Sequence, residues 1–258
     1  CDSCRAMWLT SFTEEDRLKA SEAMQLFKEA NRMLNQLDAV YQTHGVVNIM
    51  DANADGDDLL LNGKRFPLLR QQAAKLKKDD PFLCLSDFVR PLSSGITDKI
   101  GAFATTVDAE MEQLYAEDDY KRMLAQTLSD RLAEATAEKL HEDVRKKLWG
   151  YAPDENLSVK DLHNEKYQGI RPAVGYPSLP DQSINFLLDE LLDMKQIGIS
   201  LTENGMMKPH ASVCGLMFAH PASHYFSIGK IGEDQLADYA ARRGMSIEET
   251  KKFLAANL

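Results

Sequence analysis

The chain has 258 residues, of which 44% are apolar and 27% charged, and its formal net charge is −10. These values are ordinary for a folded protein and exclude global disorder. Non-specific binding to nucleic acid or anionic lipid needs an excess of basic residues, whereas acidic residues outnumber basic ones here by 40 to 30. No apolar run approaches the roughly 18 residues of a membrane span, and no signal peptide is evident. We therefore expect a cytoplasmic protein with no nucleic-acid or membrane partner.

The four cysteines do not predict a convincing metal site. Cys1 and Cys4 form a single C-x-x-C, whereas a zinc site needs about four ligands. Cys84 and Cys214 lie in apolar runs and are expected to be buried thiols of a reduced protein. Because the chain begins at Cys1 rather than Met, we expect it to be part of a longer protein.

The first half of the chain predicts a helix followed by a β-rich stretch. The helix opens near Thr13, and an apolar stripe follows it at three- and four-residue spacing. Residues 45–50 and 59–61 flank a turn rich in Asp, Asn and Gly, which indicates a β-hairpin. The further elements predicted here are a short helix at 70–78 and strands at 82–85 and 100–105.

The hairpin turn also resembles the first half of an EF-hand calcium loop, with carboxylate or amide side chains at Asp51, Asn53 and Asp55. The match fails at position twelve, where Asn62 stands in place of the required bidentate Glu. Asp, Asn and Gly are equally typical of tight turns. A turn is therefore favoured over a calcium site.

The second half contains the longest helical signal, predicted at 118–148. A polar loop follows at 150–180, and long loops in compact domains are often functional. The stripe expected to be buried on the long helix consists of Leu124, Leu128, Leu132 and Ala135. The later elements are a helix at 183–197, strands at 211–219 and 225–230, and two terminal helices, one ending at Gly244 and one capped by Ser246 and Glu249.

Strands and helices do not alternate as βαβ units, and no glycine-rich phosphate loop is present. A Rossmann or P-loop nucleotide site is therefore disfavoured. We predict one α+β domain with a twisted, mostly antiparallel sheet and surrounding helices.

One side of the long helix carries a row of polar residues: Asp130, Glu134, Glu138 and His141. A single Glu-x-x-His pair cannot make a di-iron centre, which needs two such pairs. Two interpretations stay open. The row is either a solvated helix face or the wall of a site for a cationic ligand.

The loop at 167–177 holds an arginine between glycines, prolines and aromatic residues. Arg171 could clamp a carboxylate bidentately. Gly175 would let the backbone approach a ligand closely, and Tyr176 could stack on it or hydrogen-bond to it. The alternative is a rigid structural loop in which Arg171 pairs with a neighbouring acid, and the residues alone leave both readings open.

Residues 169–177, Gly-Ile-Arg-Pro-Ala-Val-Gly-Tyr-Pro, resemble the signature of the activation domain of cobalamin-dependent methionine synthase. Matches in family order extend over nearly the whole chain from about Ala20. They include Gly45-Val-Val, Arg70-Gln-Gln, Asp130-Arg-Leu-Ala-Glu134, Leu140-His141, Trp149-Gly-Tyr-Ala-Pro, His220-Pro221 and Tyr225-Phe226.

The resemblance implies that the domain binds S-adenosylmethionine. The cobalt of cobalamin, held by the cobalamin-binding domain of the synthase, becomes oxidised. A flavodoxin-type donor then supplies an electron, and S-adenosylmethionine methylates the metal. The implied binding residues are Arg171 for the carboxylate, Glu134 near the cationic end, Tyr225 and Phe226 on a strand beside the adenosine, and Gly175 and Tyr176 in the shaping loop.

The sequence thus predicts that residues 1–258 are the activation domain of a methionine synthase, unable to make methionine alone. The family also uses an Asp in an aromatic-rich segment near the start of the domain, which residues 1–12 do not match. Part of the ligand site is therefore expected to be missing. One alternative is a non-catalytic docking module of the same enzyme with an impaired groove. Another, a stand-alone methyltransferase, is disfavoured because no glycine-rich βαβ unit or convincing general base is present.

Overall fold

The computed structural model describes residues 14–72 and 80–258. In these residues the helices are α1 (Glu14–Asp38), α2 (Asp119–Asp143), α3 (Val159–His163), α4 (Ile184–Leu192), α5 (Glu233–Arg243) and α6 (Ile247–Phe253). The strands are β1 (Thr43–Asp55), β2 (Asp58–Leu61), β3 (Lys64–Pro67), β4 (Asp98–Val107), β5 (Ser200–Leu201), β6 (Met207–Lys208) and β7 (Ser212–Met217). The presence of both helices and a mostly antiparallel set of strands confirms the predicted α+β class.

Five of these strands form one antiparallel sheet in the order β3-β2-β1-β4-β7. β4 is buried from Ile100 to Val107 because both faces of the sheet are covered. Ile100, Ala102 and Ala104 pack in one cluster with α4, while Phe103 packs with α2 on the other face. Successive side chains of β4 point to opposite faces of the sheet. One face therefore forms a core under α4, and the other forms a core under α2.

The buried row of α2 differs from the predicted one. Leu124 is buried, but Leu128 and Leu132 are half-buried against α1, and Ala135 is exposed. The row that faces the sheet consists of Ala125, Ser129, Ala133, Ala137 and His141. Its small side chains let the helix backbone approach the sheet so closely that the hydroxyl of Thr105 donates to the carbonyl of Ala133 at 3.0 Å.

The predicted hairpin is confirmed, with β1 and β2 joined at Gly56, whose φ is +63°. The carboxylates around this turn are engaged by arginines: Arg65 pairs with Asp55 and Asp58, and Arg70 pairs with Asp57. Of the candidate calcium ligands, Asp55 is thus paired with Arg65, and Asp51 is paired with Lys99 at 2.9 Å.

The segment after the hairpin departs from its prediction. Arg70 forms a bridge with Cys84 rather than starting a helix, and the rest of the predicted helix lies mostly in 73–79, outside the described residues. The strand predicted at 82–85 is wrong, because the chain turns into a 3₁₀ helix at Leu85–Phe88. The Asp87 carboxylate accepts from the Cys84 backbone N–H and caps this turn.

The later helices are placed as predicted, except that α4 stops early. It ends at Leu192 because Asp193 adopts a left-handed φ of +48°, and a 3₁₀ turn continues to Gly198. α5 ends at Gly244, and the capping box of Ser246 and Glu249 starts α6.

The strand predicted at 225–230 is wrong. This segment forms no regular strand, and its backbone bonds to a loop rather than to a neighbouring strand. The N–H of Ile228 donates to the carbonyl of Pro177 at 2.8 Å, and the hydroxyl of Ser178 donates to the carbonyl of Phe226 at 2.7 Å.

The predicted buried thiols are confirmed. Cys84 and Cys214 are free and buried, and burial raises their pKa values to about 11 and about 12. Cys1 and Cys4 lie outside the described residues. No helix in the part of the chain that the structure covers is long and apolar enough to span a membrane.

Candidate functional site

The arginine-bearing loop lies along the outer edge of β7 and extends the sheet. Ile170 exchanges backbone hydrogen bonds with Phe218 at 3.0 and 2.9 Å, and the N–H of Leu216 donates to Pro172 at 3.1 Å. Glycine is required opposite the loop, since a Cβ on Gly215 would lie 2.2 Å from the carbonyl oxygen of Pro172. Because side chains alternate along an extended segment, Ile170 points to the α4 core and Arg171 to the α2 side.

An open groove of about 850 Å³ lies between α2, this loop and residues 225–227. That volume is within the range of about 300–1,000 Å³ found for small-molecule sites. Five of the six residues expected at the site line the groove: Arg171, Glu134, Tyr176, Tyr225 and Phe226. The sixth, Gly175, turns the loop with a φ of +85°, and its N–H donates to Leu179.

Arg171 forms part of the groove wall and is held at two points. Its Nη2 donates to Glu138 Oε2 at 2.7 Å, and its backbone N–H donates to the Tyr225 hydroxyl at 3.0 Å. The guanidinium carbon lies 6.0 Å from the centre of the Phe103 ring, and the side chain is 16% exposed. The ion pair expected of a structural loop is therefore present, and the paired arginine still lines the groove.

Glu134 and Tyr176 stand at the mouth of the groove. Glu134 accepts from Arg131 Nη1 at 2.7 Å and from the Tyr176 hydroxyl at 3.4 Å. Burial, and then the Glu134 carboxylate, raise the pKa of Tyr176, so its phenol stays a hydrogen-bond donor at neutral pH. Tyr176 is nevertheless 53% exposed, so this end of the groove is open to solvent.

Tyr225 and Phe226 form the opposite, aromatic wall. Phe226 packs against Phe88 with ring centres 6.3 Å apart, and Ser178 from the arginine loop bonds to its carbonyl. These contacts hold the 225–227 segment beside the loop without a strand partner.

His141 does not belong to the groove. It is fully buried, edge-on to Tyr167 with ring centres 5.2 Å apart. Burial lowers the pKa of His141 well below its usual value, and the nearby charges of Arg145 and Arg171 lower it further. The loop that follows α2 covers this end of the helix, so the predicted polar row does not form one continuous solvated face.

A buried arginine anchors that covering loop. Arg145 lies in a π-helical turn at Val144–Leu148, is 0% exposed and donates to both carboxylate oxygens of Glu155 at 2.7 Å. Its guanidinium carbon lies 4.4 Å from the centre of the Tyr167 ring. This pair supports the groove wall from behind.

The sequence-based list of binding residues omitted several residues that line the groove, among them Arg131, Glu138, His163 and Glu165. Glu138 had a usable signal, because it follows Glu134 by four residues and so shares its side of the helix. His163 and Glu165 had none, because His163 ends the short helix α3 and Glu165 follows it in an irregular loop. No group of three or more His, Cys, Asp or Glu in the described part of the chain is placed to hold a metal ion.

Comparison with protein families matches residues 8–244 to the family described as "Vitamin B12 dependent methionine synthase, activation domain". Among solved structures, the chain is similar to one described as the crystal structure of the MetH reactivation domain bound to AdoHcy. The two are 42% identical and superpose with a TM-score of 0.86 over 99% of this chain and 84% of that chain. The chain therefore belongs to the family of vitamin B12-dependent methionine synthase activation domains.

Proposed function

We propose that the groove binds S-adenosylmethionine and that the domain uses it to reactivate the cobalamin of methionine synthase. The observation that supports this most is the convergence of Arg171, Glu134, Tyr176, Tyr225 and Phe226 on one groove. The related reactivation domain is described with AdoHcy bound, the product that remains when S-adenosylmethionine loses its methyl group.

In this proposal Arg171 holds the ligand carboxylate. A guanidinium presents five N–H donors, and the contact with Glu138 uses one nitrogen of Arg171. The remaining donors suit a carboxylate, for which arginine gives short, charge-assisted hydrogen bonds. Tyr225 and Phe226 offer flat apolar surface to the adenosine.

The mouth of the groove suits the reacting end of the ligand. Glu134 places a negative charge where a sulfonium would be stabilised. Gly175 and Tyr176 shape the rim, and the rim is open, as it must be if the methyl group is to reach an acceptor outside the domain.

The proposed chemistry needs one electron for the cobalt of cobalamin and transfers one methyl group from S-adenosylmethionine to that metal. A flavodoxin-type protein supplies the electron to cobalt, and cobalamin is bound by the cobalamin-binding domain of the synthase. The bond between the sulfonium sulfur and the methyl carbon breaks, the methyl group passes to the metal, and S-adenosylhomocysteine remains. The contribution of this chain, which we take as one module over residues 1–258, is to hold and orient the methyl donor. A cytoplasmic location is part of the proposal, and the reduced Cys84 and Cys214 support it.

The test is a calorimetric titration of the chain with S-adenosylmethionine, and with S-adenosylhomocysteine as competitor. We expect saturable binding with one ligand per chain, and displacement of the first ligand by the second. Adenosine, which lacks the amino-acid end, serves as the control and should bind more weakly. No binding of either sulfur ligand would contradict the proposal and favour a docking module with an impaired groove.

A further inference from the structure

Glu134 has a cationic partner of its own at the mouth of the groove. Arg131 Nη1 donates to Glu134 Oε2 at 2.7 Å, and Glu134 Oε1 accepts from the Tyr176 hydroxyl at 3.4 Å. Arg131 and Glu134 both line the groove. The carboxylate that would face a sulfonium is thus already paired with a guanidinium of the same chain.

This ion pair can open at little cost. The side chain of Arg131 is 72% exposed and that of Glu134 is 43% exposed. The two residues lie three positions apart on α2, and exposed pairs at this spacing contribute little to stability. A guanidinium released from Glu134 would pass into water, so a competing cation could take its place.

The charge of Arg131 acts on the groups around it at the mouth. Burial and Glu134 raise the pKa of Tyr176, and the charge of Arg131 opposes them. Burial and then Glu134 also raise the pKa of Asp130, and Arg131 again opposes the shift. With Asp130 and Glu134 ionised, these carboxylates and the Arg131 guanidinium together carry one net negative charge. Removing Arg131 would leave two.

Arg171, which also lines the groove, is not suited to such an exchange. Its side chain is 16% exposed, and it donates to Glu138 at 2.7 Å. Releasing it would leave the half-buried Glu138 carboxylate without a counter-charge, which is costly. Arg131 is exposed and weakly held, so it can yield its partner to a ligand.

We infer that Arg131 is a specificity-determining residue that competes with the methyl donor for Glu134. The inference rests on the proposed function. A sulfonium at the mouth takes the Glu134 carboxylate and displaces Arg131 into solvent. The uncharged thioether of S-adenosylhomocysteine does not compete, so the ion pair stays closed when the product is bound.

The exchange follows the charge that methyl transfer removes from the site. When the bond between sulfur and the methyl carbon breaks, its electron pair stays on sulfur, and the electron pair of the new bond comes from the metal. The sulfonium charge is thereby lost, and Arg131 returns to Glu134. Arg131 therefore limits the affinity for the donor and leaves that for the product unchanged.

The experiment titrates S-adenosylmethionine and S-adenosylhomocysteine into wild type, Arg131→Gln and Arg131→Lys, and compares the ratio of the two affinities. In Arg131→Gln the ratio should shift in favour of S-adenosylmethionine by about two- to fivefold, because an exposed competitor of this strength is removed. Arg131→Lys keeps the charge and should stay close to the wild-type ratio. Salt at about 0.5 M should reduce the effect of Arg131→Gln.

A control and a double variant isolate the mechanism. Arg122→Gln is the matched control, because Arg122 pairs with Asp119 at the same spacing on α2, about 13 Å along the helix from Arg131, and does not line the groove. It should keep the wild-type ratio. If Arg131 acts by occupying Glu134, Arg131→Gln should have no effect on the ratio when it is combined with Glu134→Gln. Circular dichroism should report the same fold for every variant.

Three outcomes would overturn the inference. An unchanged or lowered ratio in Arg131→Gln would show that Arg131 does not compete with the sulfonium. An equal gain for both ligands would show that its side chain only obstructs the groove. A full effect that persists in the Glu134→Gln background would mean that Arg131 repels the sulfonium directly. Failure of wild type to bind either ligand would instead overturn the proposed function, and the inference with it.

Discussion

The backbone N–H of Arg171 lies 3.0 Å from the phenolic oxygen of Tyr225, although the two residues are 54 positions apart. This hydrogen bond joins the arginine loop, which extends the sheet beyond β7, to the aromatic wall of the groove. Any residue at position 171 except proline could supply the donor, but the acceptor requires a hydroxyl at position 225. The width of the groove therefore depends on Tyr225 as much as on Arg171.

Replacing Tyr225 with Phe should destabilise the domain and weaken ligand binding. The change leaves the Arg171 N–H without its acceptor, so we expect the free energy of unfolding in urea to fall by about 1–2 kcal/mol. Tyr120→Phe is the control, because its hydroxyl bonds to Glu29 on the exposed surface, and it should change stability by less than about 0.5 kcal/mol. Equal effects of the two substitutions would show that the contact across the groove is not stabilising.

Arg171→Ala should weaken S-adenosylmethionine binding about ten- to a hundredfold, since a charge-assisted contact contributes roughly 1.5–3 kcal/mol. The change also leaves Glu138 without its ion-pair partner, so titration of Arg171→Ala combined with Glu138→Gln separates lost ligand contact from uncompensated charge. Arg122→Ala, on the exposed face of α2 beside Asp119, should not alter affinity. Unchanged affinity in Arg171→Ala with an intact circular dichroism spectrum would contradict the assignment.

Glu134→Gln should reduce the discrimination between S-adenosylmethionine and S-adenosylhomocysteine. The first ligand has one positive charge more, and a partly solvated carboxylate near that charge should contribute on the order of 1 kcal/mol after screening. Titration of both ligands into wild type and variant measures the affinity gap. An equal loss for the two ligands would place Glu134 against a group that they share, and no loss would make it a solvated surface residue.

Two glycines of the site should respond differently to alanine. Gly215→Ala places a Cβ 2.2 Å from the backbone oxygen of Pro172, so the loop must move. We expect a loss of about 2–3 kcal/mol in the free energy of unfolding together with weaker ligand binding. Gly175→Ala meets nothing closer than Gln182 Oε1 at 4.0 Å, but its φ of +85° is strained for alanine, at a cost of about 1–2 kcal/mol. Urea denaturation compares them, and a larger loss at Gly175 would contradict this account of the loop.

The stability of the domain should decrease as the pH falls below about 6.5, partly because of His141. Burial lowers the pKa of this imidazole in the folded state, so below the unfolded-state pKa the unfolded chain binds more protons. Stability from the neutral imidazole is thus fully present above that pKa and decreases below it, by up to about 1.4 kcal/mol per pH unit. We expect His141→Asn to flatten the change in unfolding free energy between pH values of about 7.5 and 5.5. The exposed His163→Asn should keep the wild-type slope, and an unchanged slope in His141→Asn would contradict the assignment.

Local chemistry made several elements predictable from the sequence. The β1–β2 hairpin follows from its Asp, Asn and Gly residues, which favour a tight turn around Gly56. α6 follows from the reciprocal capping of Ser246 and Glu249, and the end of α5 from the left-handed conformation that Gly244 adopts at low cost. Each of these signals acts within a few residues, so no distant partner is needed to interpret it.

Elements whose state depends on a distant partner were predicted wrongly. The apolar pattern at 225–230 is typical of a strand, but its backbone bonds to Pro177 and Ser178 of the arginine loop. On α2, a leucine stripe was expected to face the core. The sheet instead packs on the row of small residues through Ala133, because those allow a closer approach. Periodicity reports which residues share a helix face, but not which face the rest of the chain covers.

The candidate site likewise combines features that were predictable from the sequence with features that only the tertiary structure shows. The residue pattern of the loop and its resemblance to a known family determined the class of protein and five residues of the groove wall. Only the tertiary structure decided that Arg171 pairs with Glu138, 33 positions away, that His141 is buried under the loop anchored by Arg145, and that Tyr225 supports the loop through its hydroxyl. These are contacts between segments distant in sequence, and their partners are set by how the loop along β7 packs against α2.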